Sequence, residues 1–285
     1  MKWITEICRG MLIGVANIMP GVSGGTLAVS MGIYDKLIYS VTHMRKNFKG
    51  SFKILFPVGV GVVLGFLGLS YVIVWMFSKY PMQTYFLFIG LVFGGIPAIL
   101  RSIRGEPIKW FYFLVALAFF ILIAGISVLK ADETMAVMDL SVVMAVKLFG
   151  IGFLVAATMV IPGVSGSMIL LSIGYYHPLL NEITQCLYGF LTMDLLKMYR
   201  GVVLLAPAAL GVIVGILLIA KLVEYLFLYH QTISYWAILG LIFASPVGIL
   251  SGIEKQSVDI VTIFTTLFAF LSGIFLTIWL GEKES

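Results

Sequence analysis

Apolar residues run through this chain in long blocks separated by short polar stretches. The blocks over 54–78, 83–100, 110–129, 202–226, 234–251 and 258–281 each predict a helix able to cross the ~30 Å hydrocarbon core of a bilayer, at about 1.5 Å per residue. Two further blocks, 7–34 and 148–176, are apolar but broken in the middle. The break is Pro20-Gly21-Val22-Ser23-Gly24-Gly25-Thr26 in the first and Pro162-Gly163-Val164-Ser165-Gly166-Ser167-Met168 in the second. Proline and closely spaced glycines interrupt a helix. The arms on either side, 7–19 and 22–34, then 148–161 and 164–176, reach only about 20 Å each, too short to cross alone. The pattern predicts two re-entrant hairpins, each followed by three crossings.

The landmarks repeat with the blocks. Gly10 to Tyr34 matches Gly152 to Tyr176 at a constant offset of 142. Pro57, Gly61 and Gly65 match Pro207, Gly211 and Gly215, and Gly90-Leu91-Val92-Phe93 matches Gly240-Leu241-Ile242-Phe243. The chain reads as one integral membrane domain made of two repeats, 1–135 and 140–285. A hairpin that enters and leaves on one side, followed by three crossings, inverts the second repeat relative to the first. Charge sets the orientation. With both termini in the cytoplasm, the basic run Arg45, Lys46, Lys49 and Lys53 lies inside together with Arg101, Arg104 and Lys109, as the positive-inside rule requires. Were 7–34 a full crossing, that run would lie outside.

Composition agrees with a membrane protein: hydrophobic residues make up 61% and charged residues 11%, less than half the usual charged share of a soluble domain. The net charge of +5 comes from residues scattered between the blocks, so it reads as an orientation signal and not as a nucleic-acid patch. Cys8 and Cys186 have no metal-type spacing and no disulfide framework is expected. Nothing in the pattern asks for a cofactor. Met1-Lys2 and the apolar run after them have the look of a signal peptide, but the same segment recurs in mid-chain, so the first arm is expected to stay in the mature protein.

The broken helices carry the candidate chemistry. Irregular backbone at membrane depth occurs where it is buried in protein or lines a cavity. Gly21, Gly24 and Gly25, and Gly163 and Gly166 in the second copy, allow a tight turn and the close approach of a ligand. The helix that restarts after each break offers unpaired N–H groups and the positive end of its dipole. Ser23 and Thr26 add hydroxyls in one copy, Ser165 and Ser167 in the other. Such a set suits an anion such as phosphate. Small residues also let helices pack closely with no ligand at all; the doubling of the break favours the ligand. Arg9, Lys147 and Asn17 are candidates for capturing an anionic headgroup, against simple snorkelling to the interface. Asp35 and His177, equivalent by the offset, are candidates for proton coupling.

The paired stretches Ala16-Asn17-Ile18-Met19-Pro20-Gly21-Val22-Ser23-Gly24-Gly25-Thr26 and Ile161-Pro162-Gly163-Val164-Ser165-Gly166-Ser167 resemble a bacterial membrane family, formerly a domain of unknown function, associated with translocation of undecaprenyl phosphate. The resemblance covers essentially the whole chain. It implies a plasma-membrane flippase that returns the polyprenyl-phosphate carrier of peptidoglycan synthesis from the outer to the inner leaflet. The motif also resembles the Pro-Gly-x-Ser-Arg-Ser stretch of membrane undecaprenyl-pyrophosphate phosphatases. Here Gly24 and Gly166 stand in place of the arginine, and the arms lack paired glutamates. Phosphoryl transfer needs preorganised positive charge or metal, so binding and translocation are favoured over hydrolysis. A secondary transporter of a small anion would keep the same site.

Overall fold

The computed structural model describes residues 2–17, 22–128, 136–250 and 259–281. Among these residues all regular structure is helical. The first half holds α1 (Lys2–Ala16), α2 (Gly24–Ser30), α3 (Tyr34–Thr42), α4 (Phe48–Gly68), α5 (Ser70–Lys79), α6 (Pro81–Phe93), α7 (Ile96–Ser102) and α8 (Trp110–Val128). The second holds α9 (Val142–Val160), α10 (Gly166–Ser172), α11 (Tyr176–Thr192), α12 (Leu195–Tyr229), α13 (Gln231–Leu250) and α14 (Ile260–Gly281). Among the described residues, six helical stretches are long and apolar enough to cross a membrane: α4, α6 continued by α7, α9, α12, α13 and α14; α8 adds a shorter apolar stretch, Trp110–Ile126.

The structure departs from the sequence pattern in three places. The block at 54–78 is cut at Leu69 into α4 and α5, and α4 starts early because Asn47 Oδ1 accepts a hydrogen bond from Gly50 N at 3.1 Å. The arm expected at 148–161 begins instead at Val142 and is 19 residues long, about 29 Å. Lys147 does not stop it, because that side chain sits on the helix's exposed face. At that length α9 is long and apolar enough to cross a membrane, longer than the arm read from the sequence. Finally, α3 and α11 occupy stretches read from the sequence as polar connections.

The two broken stretches fold alike in detail. α2 and α10 have seven residues each at the 142 offset. Both end in a left-handed glycine, Gly32 (φ 71°) and Gly174 (φ 74°), where a Cβ would be strained. Gly32 N donates to Val29 O and Ile33 N to Ala28 O; Gly174 N donates to Leu171 O and Tyr175 N to Leu170 O.

Glycine contacts also repeat. A Cβ on Gly61 would strike the carbonyl of Ile7, and one on Gly65 that of Met11. In the second half a Cβ on Gly211 would strike the carbonyl of Phe149, and one on Gly215 would meet Phe153 and Ala156. The order of these pairs shows that α1 runs parallel to α4, and α9 parallel to α12. The remaining long helices pair crosswise between halves. α6 lies parallel to α14, with Gly90 against Phe270 and Gly94 against Ile274 and Thr277. α8 lies parallel to α13, with Tyr112 stacked on Trp236 and Gly240 against Ala116. Phe93 touches its repeat equivalent Phe243, ring centroids 5.9 Å apart.

The chain forms two compact units. One contains α1–α8, residues 161–164, the end of α12 from Ala220, α13 and α14. Its interior includes Leu27, Phe88, Ile99, Ile242 and Ile249, and Ile161 and Val164 pack on a cluster of Ile123, Leu241 and Ala244. The other contains α9, α10, α11 and α12 up to Ile219, built around Met138, Met144, Leu148 and Leu204.

Candidate functional site

At the first break Ser23 takes the N-cap position of α2 with extended backbone (φ −104°, ψ 133°), and its carbonyl accepts from the amides of Thr26 and Leu27. At the second, Ser165 has the same position and nearly the same backbone (φ −91°, ψ 120°) on α10. Serine is a preferred N-cap because its hydroxyl normally accepts from the first helical amides. Neither serine does so here. Instead the Ser165 hydroxyl meets that of Ser167 at 2.9 Å. Ser23, Thr26 and Ser165 are buried, Thr26 completely (0% exposed). Gly25, Gly166 and Ser167 are half-buried.

Within the first unit the two copies touch. Thr26 Oγ1 accepts a hydrogen bond from Gly163 N at 2.7 Å, across 137 positions of sequence. Gly163 has φ 86°, and a Cβ there would also meet Leu241, so the turn requires glycine. Gly21, its equivalent in the first copy, lies outside the described residues. Gly24 and Gly166 take the packing role that the sequence reading weighed as the alternative to ligand binding. A Cβ on Gly24 would lie 2.9 Å from Ile13 Cγ2 and 3.1 Å from the Asn17 amide; one on Gly166 would lie 2.8 Å from Thr158 Oγ1 and 3.5 Å from Val155 Cγ1. Both glycines thus let the second arm lie close against the first.

The outlying candidates divide. Asn17 is exposed, its amide beside Gly24. Lys147 and His177 are exposed, and the His177 ring lies edge-on to Tyr176. Arg9 is buried, 1% exposed. Its Nη2 and Nε donate to the carbonyl of Leu280 at 2.6 and 3.2 Å, and Nη1 pairs with Glu6 at 3.1 Å. It thereby ties α1 to a main-chain carbonyl in the last described turn of α14. Glu6 also pairs with Lys36 at 3.3 Å, and His43 Nδ1 lies 3.2 Å from Glu224. Asp35 accepts from Tyr235 Oη at 2.9 Å. The residue is exposed as a whole, but it lines a small cavity of about 90 Å³ with Tyr34, Ser102 and Tyr235. Burial there pushes its carboxyl above the usual range, against the opposing pull of the Tyr235 hydrogen bond.

Sequence reasoning missed Glu6, Tyr235 and the Leu280 carbonyl. Glu6 and Arg9 stand three apart on one helix, a spacing that signals an ion pair. Leu280 is 271 positions from Arg9, and a main-chain carbonyl leaves no mark in a sequence.

These features define an all-helical, multi-pass membrane protein built on a twice-used broken helix. The chain belongs to the undecaprenyl phosphate translocase-like family (VCA0040-like), whose model matches residues 13–262. It is 27% identical over 286 aligned positions to the polyprenyl-phosphate transporter of Staphylococcus aureus, covering 99% of this chain and 96% of that relative. It is 28% identical over 235 positions to the polyprenyl-phosphate transporter of Vibrio cholerae, covering 72% and 73%. No solved structure matches it.

Proposed function

We propose that this chain is a flippase for polyprenyl phosphate in a bacterial plasma membrane, moving the lipid carrier from the outer to the inner leaflet for reuse in peptidoglycan synthesis. The observation that carries the reading is the buried contact of Thr26 with Gly163, which joins the two copies of the motif in a chain whose relatives are named polyprenyl-phosphate transporters. The phosphate is held at the two turns, by Ser23, Gly25 and Thr26 and by Ser165, Gly166 and Ser167, with Gly24 shaping the first and Gly163 the second. Asn17 and Lys147 meet the headgroup before it reaches the turns. Asp35 takes up and releases the coupling proton; His177 is its equivalent in the second half.

The two halves are inverted, with both termini in the cytoplasm. Parallel packing supports this. Because α1 and α4 run in the same direction, the chain between them returns to the side on which α1 began, as a re-entrant hairpin requires; α9 and α12 impose the same return. Contact between the equivalent residues Phe93 and Phe243 is what a two-fold relation between the halves would give. The crosswise pairs α6–α14 and α8–α13 obey the same relation.

The test is binding of undecaprenyl phosphate to the purified protein, with release of free phosphate followed in parallel. Loss of one hydroxyl removes a charge-assisted hydrogen bond of about 1.5–3 kcal/mol. Ser23→Ala or Ser165→Ala is expected to weaken binding roughly ten- to 150-fold without abolishing it. Unchanged affinity in both variants would move the headgroup away from the turns. Phosphate release at a catalytic rate would make the chain a hydrolase.

A further inference from the structure

The first unit holds a cavity at the end of α2 away from the Ser23–Thr26 turn. It measures about 210 Å³ and lies where the end of α2, α7 and the last turns of α14 meet. That is small beside a drug-sized pocket of roughly 300–1,000 Å³, so it admits a headgroup and not a whole lipid. The break between α6 and α7 fixes its walls. Pro97 has no N–H to continue the helix, and Gly95 packs on Ser30, where a Cβ would strike the main chain. Two carbonyls of α6 are taken up by hydroxyls lining the cavity: Ser30 Oγ donates to Val92 O at 2.9 Å and Thr277 Oγ1 to Leu91 O at 2.8 Å. Arg101 is the one charged group among the described residues lining it. Its side chain is exposed, its Nε donates to Pro97 O at 3.4 Å, and it pairs with no carboxylate among the described residues. A guanidinium on a wall without carboxylates selects an anion.

We propose that this cavity is the cytoplasmic exit of the headgroup, where Arg101 receives the phosphate monoester after it leaves the first turn. The proposal rests on the polyprenyl-phosphate reading above. α2 has seven residues, about 10 Å, so the cavity lies one short helix away from the turn. Under the inverted topology the ends of α2, α7 and α14 are all cytoplasmic. α14 also brings the negative end of its dipole here, which keeps the anion from being held tightly and suits release. The Asp35 cavity shares Gly32 and Ala98 with this one, so an ionised Asp35 repels the headgroup toward the cytoplasm and a protonated one does not. Counted from Gly90 and Gly240, Arg101 corresponds to Ser251. The repeat does not supply this charge twice, as expected of a group that serves one mouth.

The experiment uses the whole chain in nanodiscs, freed of Cys8 and Cys186 and carrying Ile278→Cys in the cavity wall. An anionic and a cationic thiosulfonate reagent of similar size are compared. Arg101→Gln is expected to lower the ratio of anionic to cationic reaction rates about tenfold, and Arg101→Lys to restore most of it. Undecaprenyl phosphate should slow the anionic reagent; neutral undecaprenol, and phosphatidylglycerol with its phosphate diester, should not. An unreactive thiol, an unchanged ratio in Arg101→Gln, or equal protection by undecaprenol or phosphatidylglycerol would overturn the exit site. Protection by inorganic phosphate but not by the phosphate lipid would make the cavity a site for free phosphate and overturn it as well. In vesicles, without the added cysteine, Arg101→Gln should slow translocation several-fold and Arg101→Lys should keep most of the rate; full speed in Arg101→Gln would remove the residue from the path. Ser23→Ala and Ser165→Ala should leave the reagent ratio unchanged. Failure of the headgroup reading therefore shows as unaltered phosphate-lipid affinity in the serine variants, separately from failure of the exit site.

Discussion

Thr26 is the residue through which the two motif copies meet, and its hydroxyl does what no apolar side chain can. Thr26→Val keeps the shape but leaves Gly163 N–H buried without a partner, at a cost of about 1–3 kcal/mol. A clearly lower melting temperature in detergent is expected for Thr26→Val, with most of it restored in Thr26→Ser; equal melting of Thr26→Val and the native protein would remove this bond from the account. Asp35 makes a prediction in pH. Its carboxyl is raised in the folded state, chiefly by burial, so the folded chain binds the proton more tightly than the unfolded one. Its contribution to stability therefore falls as pH rises from the ordinary carboxylate range through the raised folded value. Asp35→Asn should remove that fall and flatten the pH dependence of transport. A transport profile unchanged in both Asp35→Asn and His177→Gln would exclude these residues from coupling. At this scale the sequence was partly legible. The turn residues are marked by their repetition, whereas Arg9 gave no sign that it is buried against the end of α14. Its partners are set by tertiary packing.

Each first arm is locked to the next long helix by glycines that bring backbone against backbone. A side chain at Gly61 or Gly211 would run into the carbonyl of Ile7 or Phe149. Overpacking of this kind costs on the order of 1–3 kcal/mol, and backbone obstacles yield less than side chains do. Gly61→Val and Gly211→Val are each expected to reduce the yield and thermal stability of folded protein. By contrast Gly59→Ala, where an added Cβ meets nothing, should behave as the native chain. Equal stability of Gly59→Ala and Gly211→Val would show that the contact is unimportant. The long apolar elements were legible because length and hydropathy alone define them. Their subdivisions were not: the break after Leu69 and the upstream start of α9 depend on caps and on which helix face stays exposed. α3 was hidden for another reason. It is a short helix held by Glu6, Glu224 and Tyr235 on other elements, and nothing within Tyr34–Thr42 announces those partners.

For the whole molecule, the proposed inversion of the halves is the premise on which the proposed transport rests. Lys49 and Asn181 are both exposed and belong to opposite sides in the inverted arrangement. In a chain freed of Cys8 and Cys186, Lys49→Cys is expected to react with an impermeant thiol reagent only from the cytoplasm, and Asn181→Cys only from outside. Reaction of both from one side would contradict the inversion, and a full crossing by α9 would be the first alternative to consider. The most direct measurement of the central claim is lipid translocation itself. Purified protein is reconstituted into vesicles with undecaprenyl phosphate in one leaflet, and its arrival in the other is timed with a membrane-impermeant phosphatase. The account predicts translocation well above that of protein-free vesicles, slowed in Ser23→Ala and Ser165→Ala and accompanied by no phosphate release from the protein alone. Native protein that binds the lipid yet moves it no faster than empty vesicles do would contradict it.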